Sequence, residues 1–181
     1  MNSMATELRS RVDRHGPRVT VRPIPIKKAL PFVRATHRRL PKIQGAMWAI
    51  AAVIDDRIVG VAVVGHPQAR MADDGVTLEV TRVAVEADAP NACSALYSAC
   101  ARAARDMGAL DLYTSIHSDE TGHSPRAAGW VEIGAGKGGE WSREDRPRRA
   151  AIDPLPKIRY AAAWSRLAQK KRDDDENDAA K

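Results

Sequence analysis

The stretch from Val76 to Gly108 constrains the fold more than any other. "VTLEVTRVAVE" (Val76 to Glu86) alternates apolar and polar residues for most of its length, the period of a half-buried strand. After the short link "ADAPNACS", small and apolar residues recur at helical spacing from about Ala92 to Met107. Asn91 stands where an N-cap is expected, and Gly108 where a helix stops. "LDLYTSIH" (Leu110 to His117) is a second strand. A strand, a helix and a strand in this order form a crossover, which requires a sheet with at least one parallel pair.

The flanking segments supply the rest of that sheet. "VTVRPI" (Val19 to Ile24) reads as a strand, and "IKKALPFVRATHRRL" as a helix that Pro31 confines or bends. "AMWAIAAVI" (Ala46 to Ile54) and "RIVGVAVVG" (Arg57 to Gly65) surround Asp55-Asp56 and form a hairpin. A turn is expected at Asp74-Gly75. "SPRAA" reads as a short helix, "GWVEIGA" (Gly129 to Ala135) as a strand, and a last strand falls near "WSR" or "KIRYAAAW". The fold class is therefore α/β: one domain, residues 19–164, with a mixed sheet flanked by helices. Residues 1–18 are expected to be a flexible basic arm. Residues 165–181 alternate blocks of like charge with few apolar groups, so a disordered charged tail is expected.

Aromatic residues make up only 4% of 181 residues, so the core must be mostly Ala, Val, Leu and Ile. No apolar run reaches the roughly 18 residues of a membrane span. The N-terminus lacks the apolar centre of a secretory signal, so a cytoplasmic protein is expected. Cys93 and Cys100 lie two helical turns, about 10 Å, apart, too far for a disulfide. They read as small core residues in a reducing compartment. The net charge is +6, and the tail, with five basic and five acidic residues, contributes nothing to it. The excess gathers in the N-terminal arm, in "RATHRRLPK" and in "KGGEWSREDRPRR". Such a surface suits a polyanion or a phosphate-bearing cofactor, with Arg38, Arg39, Arg148 and Arg149 as candidate DNA contacts; mixed surface charge serving solubility is the alternative.

The order of elements over roughly Val19 to Arg143 resembles the Gcn5-related N-acetyltransferase (GNAT) fold. "AAGW" (Ala127 to Trp130) after a short helix looks like that family's Y-x-x-x-G-F element. "HRRLP" (His37 to Pro41), "DDGVTLEVTR" (Asp73 to Arg82), "NACSALY" (Asn91 to Tyr97) and "SPRAAGW" (Ser124 to Trp130) resemble a phage and prophage group of GNAT-like proteins. An Arg-bearing strand, an N-x-x-S helix start and the pair Gly122-His123 are distantly similar to the Mom DNA-modification proteins of transposable phages, a likeness that implies acyl-derived modification of adenine in DNA. The GNAT resemblance implies acetyl-CoA, or another acyl-CoA, with its pyrophosphate at the start of the helix that follows the central strand.

The residues there suit the task. A helix N-terminus exposes unpaired N–H groups and partial positive charge, and it binds phosphate readily. Asn91, Ala92, Cys93 and Ser94 are short enough for a phosphate to reach the backbone, and Ser94 offers a hydroxyl. The main chain of Val83, Ala84 and Val85 could pair with a pantetheine arm as an added strand would. The link departs from the family's R/Q-x-x-G-x-G/A loop: it has no glycine and no basic residue, and it carries Glu86 and Asp88.

Catalysis needs a group to take a proton from the attacking amine and one to protonate the leaving thiolate. The family's tyrosine would fall at position 125, which is Pro125. Tyr113 and Tyr97 are substitutes, Tyr97 reading better as core. Glu79 lies where a general base is expected; equally, it forms an ion pair with Arg82. At a spacing of three these two face opposite sides of an ideal strand, so direct pairing requires a bulge. His37 closes the first helix as a base, a phosphate contact or a solvated helix end. The loop "HSDETGH" offers His117, Asp119, Glu120 and His123 as a base, an orienting pair or metal ligands. Trp48 and Trp141 read as a stacking surface or as core. Three functions remain open: a GNAT-type N-acyltransferase, a Mom-like DNA-modifying enzyme, and a non-catalytic module that binds nucleic acid or protein. An exposed sheet edge would also allow a homodimer.

Overall fold

The computed structural model describes residues 18–37, 45–136 and 156–180. Most of the basic arm, Arg38, Arg39, Trp141, Arg148 and Arg149 lie outside the described residues.

The expected elements form. The order is β1 (Thr20–Ile24), α1 (Ile26–Thr36), β2 (Ala46–Ile54), β3 (Arg57–Gly65), β4 (Thr77–Val85), α2 (Ala92–Asp106), β5 (Asp111–His117), α3 (His123–Ala127), β6 (Val131–Gly136), β7 (Lys157–Ala161) and α4 (Arg166–Ala179). The sheet runs β1-β2-β3-β4-β5-β7-β6. Among the described residues only the β4–β5 pair is parallel, as the crossover through α2 requires. Asp55 and Asp56 both adopt left-handed φ, 48° and 61°, which matches the twist of the β2–β3 hairpin. Pro31 sits inside α1, and the helix continues past it to Thr36.

The sheet separates two layers. Ala29 and Val33 of α1 cover Ala49, Ala51, Val61, Val63 and Ala84 on one face. The same face carries a smaller cluster of Tyr113, Ala161 and Ala168, the last from α4. On the opposite face α2 buries Ala92, Leu96, Tyr97, Cys100 and Ala104, a single stripe at helical spacing. Burying Leu96 completely stabilises by about 2–3 kcal/mol. Gly60 lets α2 approach closely, because a Cβ there would sit 3.2 Å from Leu96 and 3.0 Å from Val85. Both cysteines are free.

The tail corrects its expectation. Residues 166–179 form a helix of 14 residues, not a disordered segment. Its anchor is remote in sequence. The carboxylate of Asp111, at the start of β5, is buried. It accepts hydrogen bonds from the Ser165 hydroxyl (2.6 Å), the Leu167 N–H (3.0 Å) and the Arg166 guanidinium (2.7 Å). Arg166 also reaches Asp74 at 3.2 Å. A count of charge along the tail could not reveal this partner. The domain therefore continues past residue 164.

Candidate active site

The site begins with one irregularity. β4 pairs with β3 through Val64↔Val80 and then Val63↔Arg82, so Thr81 is an extra residue, a bulge. The bulge reverses the alternation of side chains. Glu79, Arg82 and Ala84 consequently share the α1 face, while Val80, Val83 and Val85 share the α2 face. The obstacle to a Glu79–Arg82 interaction is thereby removed, and the Glu79 carboxylate acts on Arg82 electrostatically.

The bulge also marks where the sheet opens. The β4–β5 ladder runs from Thr77↔Asp111 to Val80↔Thr114 and ends there. The Thr114 hydroxyl closes the last rung by donating to the Val80 carbonyl at 3.0 Å. Beyond it, Arg82 to Val85 pair only with β3, and Ser115 to His117 pair only with β7. One edge of β4 is left open at the centre of the sheet, and α2 starts a few residues past its end.

The first turn of α2 has no side-chain cap. Asn91 occupies the cap position as expected, but in left-handed conformation, φ 62°. The Ser94 hydroxyl donates to the Asn91 carbonyl at 3.1 Å, so the donors turned toward the link are backbone N–H groups. The acidic residues of the link are drawn to the opposite side. Glu86 forms an ion pair with Arg57 of β3, and Asp88 lies 3.9 Å from the same guanidinium. An open strand edge, an uncapped helix start, short side chains and acids held toward β3 together fit a phosphate-bearing ligand with an extended arm.

On the α1 face, at the last rungs of the ladder, Glu79 is 6% exposed and lies opposite Tyr113. Its carboxylate accepts the Gln68 N–H at 2.6 Å and the Tyr113 hydroxyl at 3.2 Å. Burial raises the Glu79 pKa, and these two bonds counteract it only in part. Burial likewise raises that of Tyr113. His37 is half-buried at the end of α1. Burial lowers its pKa, Arg82 and His117 lower it further, and Glu120 opposes them. The end of α1, the bulged strand and the loop after β5 thus converge. Glu120 also acts on Cys93 across the opening, and its carboxylate accepts the His117 N–H at 2.9 Å.

No family model matches the sequence, and no curated protein aligns with it. Solved structures do match the fold. The IAA acetyltransferase from Bacillus cereus superposes with a TM-score of 0.57 at 16% identity, covering 80% of this chain and 98% of that one. An acetyltransferase of Bacillus subtilis, solved in complex with CoA, gives 0.55 at 11% identity, with 80% and 97% covered. A protein of the GNAT family from Desulfovibrio desulfuricans gives 0.54 at 17% identity, with 80% and 98% covered. The chain has the GNAT fold.

On the GNAT frame the candidate residues divide into three groups. Val83, Ala84 and Val85 lie along the open edge, with Asn91, Ala92, Cys93 and Ser94 at the helix start beside it. Glu79, Tyr113, Arg82 and His37 gather on the α1 face. Asp119 is exposed on the β5–α3 loop. Tyr97 is core, packed edge-on against Trp130 with ring centroids 5.2 Å apart. Trp48 packs against the core on the α2 face. Pro125, where the sequence places the counterpart of the family's tyrosine, is buried and has no ionisable group. Among the described residues, no three His, Cys, Asp or Glu side chains are grouped to hold a metal ion. Sequence reasoning missed Thr81 and Arg57. Thr81 continues an alternating run, and Arg57 follows a turn some thirty residues before the acids it restrains.

Proposed function

We propose that this protein is an acyl-CoA-dependent N-acyltransferase. The observation that carries the proposal is the opened edge of β4 leading into the uncapped start of α2. The main chain of Arg82 to Val85 would bind the pantetheine arm as a strand, and the N–H groups of Cys93 and Ser94 the pyrophosphate. When bound, the cofactor would supply a thioester to be attacked by the amine, with the thiolate as leaving group. Backbone donors past the bulge would support the carbonyl oxygen.

Glu79 is the proton acceptor in this reading. Its raised pKa brings it closer to a working base than an ordinary surface carboxylate. A water molecule would carry the proton from the amine to it. Tyr113 donates to Glu79 and takes the role left vacant by Pro125, returning a proton to the thiolate. His37, kept neutral by burial and by Arg82, is a second acceptor at the mouth of the site.

Calorimetric titration with acetyl-CoA tests the proposal. The protein should bind it, and Ser94→Trp, which fills the helix start, should weaken binding at least about tenfold while keeping a native circular dichroism spectrum, a change of roughly 1.4 kcal/mol. Absence of binding at millimolar acetyl-CoA would leave the junction an ordinary helix start and favour a non-catalytic module.

A further inference from the structure

A second concavity lies on the Tyr113 face of the sheet. It is a cleft of about 490 Å³ between the start of α4, strands β5 and β7, and the turn at Arg70–Ala72. Resting on the acyltransferase reading, we propose that it receives the acceptor, and that the acceptor is a small amine carrying an anionic group, carboxylate or phosphate.

Charge pairing carries this assignment. The cleft contains two carboxylates, and both are committed. Asp74 accepts the N–H groups of Val76 (3.1 Å) and Thr77 (2.7 Å) together with the Arg166 guanidinium. Asp111 accepts Ser165, Arg166 and Leu167. Arg166 is occupied by the same two acids. Two lining cations remain. The Arg159 guanidinium lies 5.7 Å from the centre of the Tyr113 ring; among the described residues it forms no ion pair, and it acts on the Glu79 carboxylate behind Tyr113 only through space. Lys170, exposed on the first turns of α4, forms no ion pair among them either. Among the described lining residues, two cations stand outside any ion pair and no carboxylate does. The complement of the cleft is an anion.

Position supplies the amine. Tyr113 forms part of the cleft floor and donates to Glu79. That pair stands one rung before the point where β4 and β5 part. A ligand with its anion on Arg159 and Lys170 therefore has its other end at Tyr113, beside the Glu79 carboxylate that this hydroxyl contacts. Ile133 and Leu167 give the wall an apolar strip for a short aliphatic segment. The volume suits a small molecule.

Saturation-transfer NMR on the full chain provides the test, with two matched pairs: γ-aminobutyrate against butylamine, and phosphoethanolamine against ethanolamine. The anionic member of at least one pair should receive saturation, and its neutral-tailed partner little; the responding pair distinguishes carboxylate from phosphate. Arg159→Gln should weaken that binding about tenfold or more, and Arg159→Lys should keep most of it. Equal response within both pairs, no response from either anionic amine at millimolar concentration, or unchanged binding in Arg159→Gln would each overturn the proposal. Titration of the wild-type protein with acetyl-CoA reports separately on the acyltransferase reading, so the two failures are distinguishable.

Discussion

Two helices of this protein start beside the same pair of central strands and end their backbone differently. The first turn of α4 is saturated from within: buried Asp111 takes the Leu167 N–H and the Ser165 hydroxyl, and Arg166 closes the network. The first turn of α2 has no such partner. Its cap residue contributes no side-chain bond, and Arg57 holds the nearby acids on the β3 side. The electrostatic demand is the same at both, since an exposed turn of N–H groups favours a negative charge. At α4 a protein carboxylate meets it and the result is structural. At α2 it is left for an anion from outside, and the result is a candidate binding site.

The largest expected effect comes from breaking the satisfied end. Asp111→Ala leaves Arg166, the Ser165 hydroxyl and the Leu167 N–H without their buried acceptor. It should cost about 1–3 kcal/mol, visible as a lower urea midpoint and loss of the α4 helical signal. An unchanged midpoint would mean that α4 is held by something other than this carboxylate.

A smaller effect should come from the open end. Arg57→Gln frees Glu86 and Asp88 from their cation. Acetyl-CoA affinity should fall about two- to fivefold, the scale of an exposed ion pair, and the difference should shrink as salt is added. A difference that persists in high salt would mean that Arg57 acts through packing and not through charge.

Acid should separate the two ends by the smallest margin. Asp74 has its pKa lowered to about 2 by hydrogen bonds from Thr77, from the Val76 N–H and from Arg166. A carboxylate lowered in the folded state stabilises fully above its unfolded pKa, near 4, and loses that contribution as pH falls toward 2. The protection factors of amides in the first turn of α4, corrected for the intrinsic pH dependence of exchange, should therefore fall across that window in wild-type protein. They should respond less in Asp74→Asn, which has no carboxylate left to titrate. Identical acid profiles would detach Asp74 from the anchor.

Local signals made much of the molecule legible. The β2–β3 hairpin follows from two β-rich runs around Asp55-Asp56, and α2 is bounded by Asn91 and Gly108, as the sequence indicates. The crossover required a parallel pair, and β4–β5 is that pair. What stayed hidden depends on distant partners. α4 reads as disordered because Asp111 lies 56 residues from the N–H it accepts. The bulge at Thr81 shows in the sequence only as two adjacent polar residues, Thr81 and Arg82, where the alternation of β4 changes phase; it moves Arg82 to the face of Glu79 and coincides with the opening of the sheet. The three-residue spacing of Glu79 and Arg82 showed only that a bulge was needed. The insertion of β7 between β5 and β6 likewise had no local sign.

The most direct measurement of the central claim is residue-resolved amide hydrogen exchange with and without acetyl-CoA. The two-ends account predicts slowed exchange at Arg82 to Val85 and at Cys93 and Ser94, with no change in the first turn of α4. Protection absent from the start of α2, or appearing instead at α4, would contradict it.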